Sequence, residues 1–148
     1  MKKMLLIGLA AALTATAGIA SAQVKPFEAI EYRQGIFKAV KWHFGPLSDM
    51  VRGKTEFNAD EFSRRANLLA ALSQMPGEAF LPGTYDQKTS ALPKIETERA
   101  RFDEAMLKFQ TTTAALAEAA NSGDMKSIRP AFMQAAQTCK ACHDNFRD

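Results

Sequence analysis

The stretch TCKACHDNFRD, Thr138–Asp148, holds the chain's only two cysteines. They lie three positions apart, and His143 follows the second directly. Reading backwards from there, Phe146, Cys142, Cys139, Ala135, Phe132 and Ile128 recur at alternating three- and four-residue steps. That recurrence is one face of an α-helix burying an apolar stripe. Both thiols therefore belong to the inner face of a helix that begins near Asp124, a residue suited to cap it. Pro130 is early enough to be tolerated, and Arg147 suits the negative end of the helix dipole.

The same periodicity marks three further helices upstream. The first, about Pro26 to Val51, carries Ile30, Phe37, Val40, Phe44, Leu47 and Val51 inward. Pro26 suits a first helical turn, Pro46 is expected to kink or tighten the helix, and Gly53 is a plausible stop. The second opens at Asn58 with Glu61 three residues on, a box-like start. Its stripe is Phe62, Ala66, Leu69 and Leu72, and it ends before Met75-Pro76-Gly77. The segment Pro76–Pro93 has three prolines and two glycines and reads as a long loop. Phe80 and Leu81 are expected to pin it to the core. The third helix is expected as one piece from Lys94 to Ala120, with Ile95, Phe102, Phe109, Thr113 and Leu116 inside. No strand pattern or repeat stands out. Short links at two of three joints imply an all-α, antiparallel, up-down-up-down four-helix bundle.

Residues 1–22 read differently. Lys2 and Lys3 precede an apolar run, and Ala20-Ser21-Ala22 offers a small-residue cleavage site. This is the pattern of a secretory signal peptide, leaving residues 23–148 as one exported domain. The run is short for a membrane span and is diluted by Thr14, Thr16 and Ser21. The leader holds two of the chain's 19 basic residues and none of its 16 acidic ones, so the remainder is nearly balanced. No basic patch argues for nucleic acid, and no charge run argues for a membrane surface.

Cys139-Lys140-Ala141-Cys142-His143 is C-x-x-C-H, the signature of c-type haem attachment. On a helix, positions i, i+3 and i+4 share one face. Two thiols there can add to the two vinyl groups of one porphyrin, and His143 then presents its imidazole to the iron. A disulfide between i and i+3 inside one helix is poor geometry. A thioredoxin-like pair wants a βαβ setting, and a zinc site needs about four ligands.

With that motif in place, the chain resembles the cytochromes c′ of the class II c-type cytochromes. The resemblance rests on CKACHDNFR (139–147) at the C-terminal end, EYRQ (31–34), HFGPLSDMVRGK (43–54) and AFLPGT (79–84). These proteins are themselves among the type examples of the bundle inferred above, so the two readings are not independent. The resemblance implies one covalent haem c between the helices, near one end. It implies His143 as the axial iron ligand, Arg33 and Gln34 in the propionate region, Phe80 against the haem and Arg147 on the proximal side. It places Phe37 as the distal lid, where low-spin relatives carry a ligating methionine. It also implies a periplasmic homodimer paired through the first two helices. Two tryptophans common in the family are replaced here by Gly77 and Glu96, and the single tryptophan is Trp42.

Phenylalanine has no lone pair to give iron. Phe37 therefore implies a five-coordinate, high-spin iron that binds nitric oxide and carbon monoxide, takes dioxygen poorly and exchanges electrons with a periplasmic partner the sequence does not identify. The alternative is a low-spin electron carrier in which Met106 or His43 fills the sixth position. His43 lies six residues after Phe37, roughly 240° around the helix, and is expected to face away. Met133 lies on the proximal helix and is expected to be out of reach. An enzyme such as a peroxidase ranks last, because it wants a distal acid–base group.

Overall fold

The computed structural model describes residues 24–86 and 88–148. The leader expected at 1–22 lies outside the described residues. The chain is an up-down-up-down four-helix bundle of α1 (Pro26–Val51), α2 (Ala59–Ser73), α4 (Arg99–Asn121) and α5 (Met125–Phe146), with a single helical turn, α3 (Lys94–Thr97), before α4. No strand occurs among the described residues; one isolated bridge joins Ala91 to Arg147. Helix α1 packs on α2, α2 on α4, α4 on α5, and α5 closes back on α1.

Local chemistry explains the boundaries. Pro26 opens α1, and Gly53 follows its end at φ +70°, a backbone state glycine reaches without a Cβ clash. Pro46 lies within α1, which runs on to Val51. The Asn58 side chain accepts a hydrogen bond from the Glu61 N–H at 2.9 Å and caps α2. Asp124 does the same for α5 from the Lys126 N–H at 2.9 Å. Between them Gly123, at φ +66°, turns the chain out of α4.

The third expected helix is broken. Its first turn stops at Thr97, and Glu98 leaves helical geometry at φ −111°, ψ 34°. The break lets Ile95 reach full burial in the core while α4 starts afresh with Phe102 facing inward. The loop pins also differ from expectation. Phe80 is buried, but Leu81 remains 36% exposed, and Thr84 and Tyr85 sink in its place. In α2, Ser73 is fully buried and Leu72 only half-buried. Ser73 is accommodated because the Thr113 hydroxyl donates to its Oγ at 3.0 Å.

Four phenylalanines run through the core in contact. Phe37 meets Phe80 edge-on at 6.4 Å between centroids, Phe80 meets Phe102 at 4.6 Å, and Phe102 meets Phe146 at 5.4 Å. Leu69 of α2 and Leu116 of α4 are fully buried. Truncating Leu116 to alanine leaves a cavity among close-packed helices. We expect a loss of about 3 kcal/mol, read as a lower urea midpoint at unchanged slope.

His43 faces α2 and is half-buried, so it turns away from the α1–α5 side as expected. Its Nδ1 is the one buried side-chain polar atom without a partner among the described residues. Burial first, and then the nearby cations Arg65 and Arg64, hold its pKa below the usual imidazole value, against an opposing pull from Glu61. A depressed folded-state pKa contributes stability that is present above the unfolded value, about 6.5, and lost as pH falls through the folded value. Urea midpoints should therefore fall between neutral and mildly acidic pH. A His43→Leu chain should show a shallower fall over the same window.

Candidate functional site

Of the four seams between long helices, α1 and α5 touch least. The space between them is a cavity of about 490 Å³, within the range of roughly 300–1,000 Å³ typical of small-molecule sites. Helix α1 supplies Arg33, Gln34, Phe37, Lys38, Val40, Lys41 and Phe44 to its wall. Helix α5 supplies Thr138, Cys139, Cys142, His143 and Phe146, with Arg147 at its C-cap. Ile95, Phe102, Met106 and Phe109 form the back, and Phe80 with Thr89, Ser90 and Ala91 closes the end. All eight residues singled out as site candidates from the sequence meet in this one cavity.

The motif residues are placed as helical spacing requires. Both thiols are free and half-buried on the cavity side of α5. Burial pushes both up in pKa, with Cys142 adding to the effect at Cys139. That is opposite to the thiolate stabilisation of a reactive redox pair. The shift at His143 runs downward, through burial first and then the neighbouring Arg147 cation, with Asp144 opposing. Neutral imidazole is the form whose nitrogen lone pair can bind a metal.

Arg33 is the most unusual residue of the wall. It is 2% exposed, and burial lowers its pKa, yet a guanidinium keeps its charge in proteins. Nη1 donates to the Ala79 carbonyl at 3.0 Å and to Thr84 Oγ1 at 2.7 Å. Nη2 donates to the Thr84 carbonyl at 2.7 Å and to Thr89 Oγ1 at 3.1 Å. Its plane lies over the Phe80 ring at 4.7 Å. No carboxylate is among these partners, so the charge is solvated by dipoles but not neutralised. Beside it, Gln34 Nε2 donates to the Lys88 carbonyl at 3.4 Å.

The far end of the loop is tied to α5. The Leu92 N–H donates to the Phe146 carbonyl at 3.0 Å, and the Asp148 N–H to the Ser90 carbonyl at 2.9 Å. Thus one loop is fastened to both helices that flank the gap. The arrangement fits a haem: two thiols and an imidazole on one helical face, an apolar slot beside them, and an uncompensated buried cation where an anionic edge would find its counter-charge.

The alternative iron ligands are placed less favourably. His43 is not in the wall. Met133 is 50% exposed on the outside of α5. Met106 does line the cavity, but its methyl carbon lies 3.9 Å from where a Cβ on Gly77 would stand, so the tip of the side chain packs toward the Pro76–Ala79 turn. Sequence reading missed Lys38 and Lys41, which border the cavity one step from the Phe37 and Val40 stripe. It also missed Thr84 and Thr89, which carry no periodic signal.

The sequence profile described as Cytochrome C′ matches residues 28–147. The chain belongs to the cytochrome c′ family. Cytochrome c′ of Halomonas halodenitrificans is 36% identical over 129 residues, covering 83% of this chain and 98% of the relative. That of Rubrivivax gelatinosus is 37% identical over 125 residues, covering 84% and 97%. Among solved structures, cytochrome c prime from Shewanella frigidimarina is 44% identical with a TM-score of 0.82, covering 84% of this chain and 97% of that one. A variant from Alcaligenes xylosoxidans, solved as its nitric oxide complex, is 34% identical with a TM-score of 0.79, covering 85% and 98%. Cytochromes c′ are periplasmic c-type haem proteins, and the cofactor here is covalent haem c.

Arg33 is expected to be structural as well as electrostatic. Replacing it with methionine strands the acceptors on Ala79, Thr84 and Thr89. The loss should be about 3 kcal/mol, since hydrogen bonds from a charged donor are the stronger kind. Amide hydrogen exchange across residues 79–92 should accelerate before the rest of the bundle.

Proposed function

We propose that the chain is an exported cytochrome c′ in which Cys139 and Cys142 hold one haem by thioether bonds and His143 is its axial ligand. The distal face is closed by Phe37 without a protein ligand. When bound, the haem supplies a one-electron ferric–ferrous couple and an iron that can take a small diatomic ligand. The protein's part is to hold, shield and gate. Helix α5 fixes the ring from one side through three residues on one face. Arg33 and Gln34 offer charge and a donor at the edge, Phe80 packs on the face, and Arg147 stands beside the histidine.

The observation that carries this reading is the wall opposite α5. Phe37, Val40 and Phe44 present carbon to the cavity, and carbon cannot coordinate iron. This apolar wall supports a five-coordinate, high-spin iron. Nitric oxide and carbon monoxide need no distal donor and are the expected ligands; dioxygen gains from one and is disfavoured. That a relative was solved as a nitric oxide complex supports the extension. The same wall speaks against peroxidase activity, since no Asp or Glu lines the cavity among the described residues to move a proton. Residues 1–22 support export to the periplasm.

Phe37 variants test the gate. Phe37→Ala should speed carbon monoxide association about tenfold, a barrier change of about 1.4 kcal/mol. Phe37→Met should convert the iron to six-coordinate and low-spin, with split visible bands in the reduced form. Unchanged kinetics and spectra in both variants would remove Phe37 from the distal site.

The domain is expected to be a homodimer through α1 and α2. Support comes from Trp42, 72% exposed on α1, and Leu68, 38% exposed on α2. Sedimentation should show a dimer that Trp42→Glu weakens; a monomer at high concentration would contradict it.

A further inference from the structure

The cavity's charged lining is of one sign. Arg33, Lys38, Lys41 and Arg147 border it, and no Asp or Glu does among the described residues. Composition alone does not explain this, because acids and bases are nearly balanced outside the leader. Elsewhere only some of the surface cations are paired. Lys54, Arg64, Arg65, Arg99, Arg101 and Lys140 each sit against a carboxylate. Exposed Lys38, Lys41 and Arg147 form no ion pair among the described residues. Neither do exposed Lys25, Arg52, Lys88, Lys108, Lys126 and Arg129, so it is the one-signed cavity rim, not the lack of partners, that sets Lys38, Lys41 and Arg147 apart. The acids nearest in sequence do not relieve them: Asp144 is held by Lys140, and neither it nor Asp148 lines the cavity.

The three exposed cations come from both walls. Lys38 and Lys41 are one turn apart on α1, on one face. Arg147 closes α5, its N–H donating to the His143 carbonyl at 3.1 Å and its backbone bridged to Ala91. Arg33, by contrast, is buried and committed to the loop. A buried cation is thus already present for an anionic haem edge, and three solvated ones remain at the rim. Solvated, unpaired charge contributes little to folding. It does set the field at an opening and steers charged partners toward it.

We propose that Lys38, Lys41 and Arg147 form the docking surface for an acidic one-electron carrier protein, which passes its electron at the mouth of the α1–α5 cavity. This rests on the redox reading above and adds the partner's chemistry. One electron leaves the reduced partner and enters the ferric protein. No bond is made or broken and no proton moves.

The test uses the haem-loaded ferrous protein, stopped-flow mixed with ferricyanide as an anionic oxidant or tris(phenanthroline)cobalt(III) as a cationic one. Raising ionic strength from ~0.01 to ~0.15 M shortens the screening length from about 30 to about 8 Å. The ferricyanide rate should fall on the order of tenfold, while the cobalt rate holds or rises. Poly-L-glutamate, a mimic of an acidic protein face, should slow ferricyanide oxidation at low salt. The Lys38→Glu/Lys41→Glu double variant should lose both effects. Rates blind to oxidant charge and salt would overturn the docking surface. So would a double variant that alters the resting optical spectrum but keeps the wild-type salt slope, since the lysines would then serve the haem. Voltammetry separates the two layers: a protein without a reversible one-electron couple sinks the redox reading, and the docking surface with it.

Discussion

A guanidinium held almost entirely out of water, with no carboxylate to answer it, is the constraint around which this bundle is arranged. Charge of this kind is costly to bury unless dipoles or a counter-ion surround it. Arg33 meets the cost with four hydrogen bonds to one loop, and in doing so gives that loop its shape. The loop then supplies Phe80 to the cavity and fastens its other end to α5 through Ser90, Ala91 and Leu92. Remove the charge and the end wall of the site loses four of its ties to α1, leaving those from Tyr32 to Glu78 and from Gln34 to Lys88.

The second constraint is the weak seam. A small four-helix bundle would ordinarily close all four seams with side chains. Here α1 and α5 stand apart around a cavity, and the core is carried by the other contacts and by the aromatic chain from Phe37 to Phe146. A covalent cofactor suits such a design. Two thioethers need no deep enclosing pocket, and an apolar ring filling the slot would complete the packing that side chains leave open. In the proposed reading retention and reactivity are thereby separated: α5 would hold the haem, and α1 would decide what approaches it.

Much of this was legible in the sequence because its signals are periodic or local. The stripe through Cys139 and Cys142 placed both thiols inward, Asn58 and Asp124 capped the helices their residue types suggest, and the motif together with the family resemblance identified the residues that meet in the cavity. What failed has a physical reason in each case. Nothing before Glu98 breaks a helix by composition, so the separate turn at Lys94–Thr97 reflects tertiary demand for Ile95 in the core. Leu81 is more apolar than Thr84, yet Thr84 is buried because Arg33 needs its oxygens and Leu81 offers only its backbone. Lys38 and Lys41 lie off the apolar stripe of α1 and match no motif; only the shared cavity shows that they border the site.

The account stands or falls on an empty coordination position beneath Phe37. The most direct measurement is the optical spectrum of the exported, haem-loaded protein, ferric and then dithionite-reduced. A broad, merged visible band in the reduced form, with a high-spin Soret peak that shifts when nitric oxide is added, is the predicted result. Sharp, separate α and β bands before any ligand is added would mean that a side chain, Met106 foremost, already occupies the iron, and would contradict it.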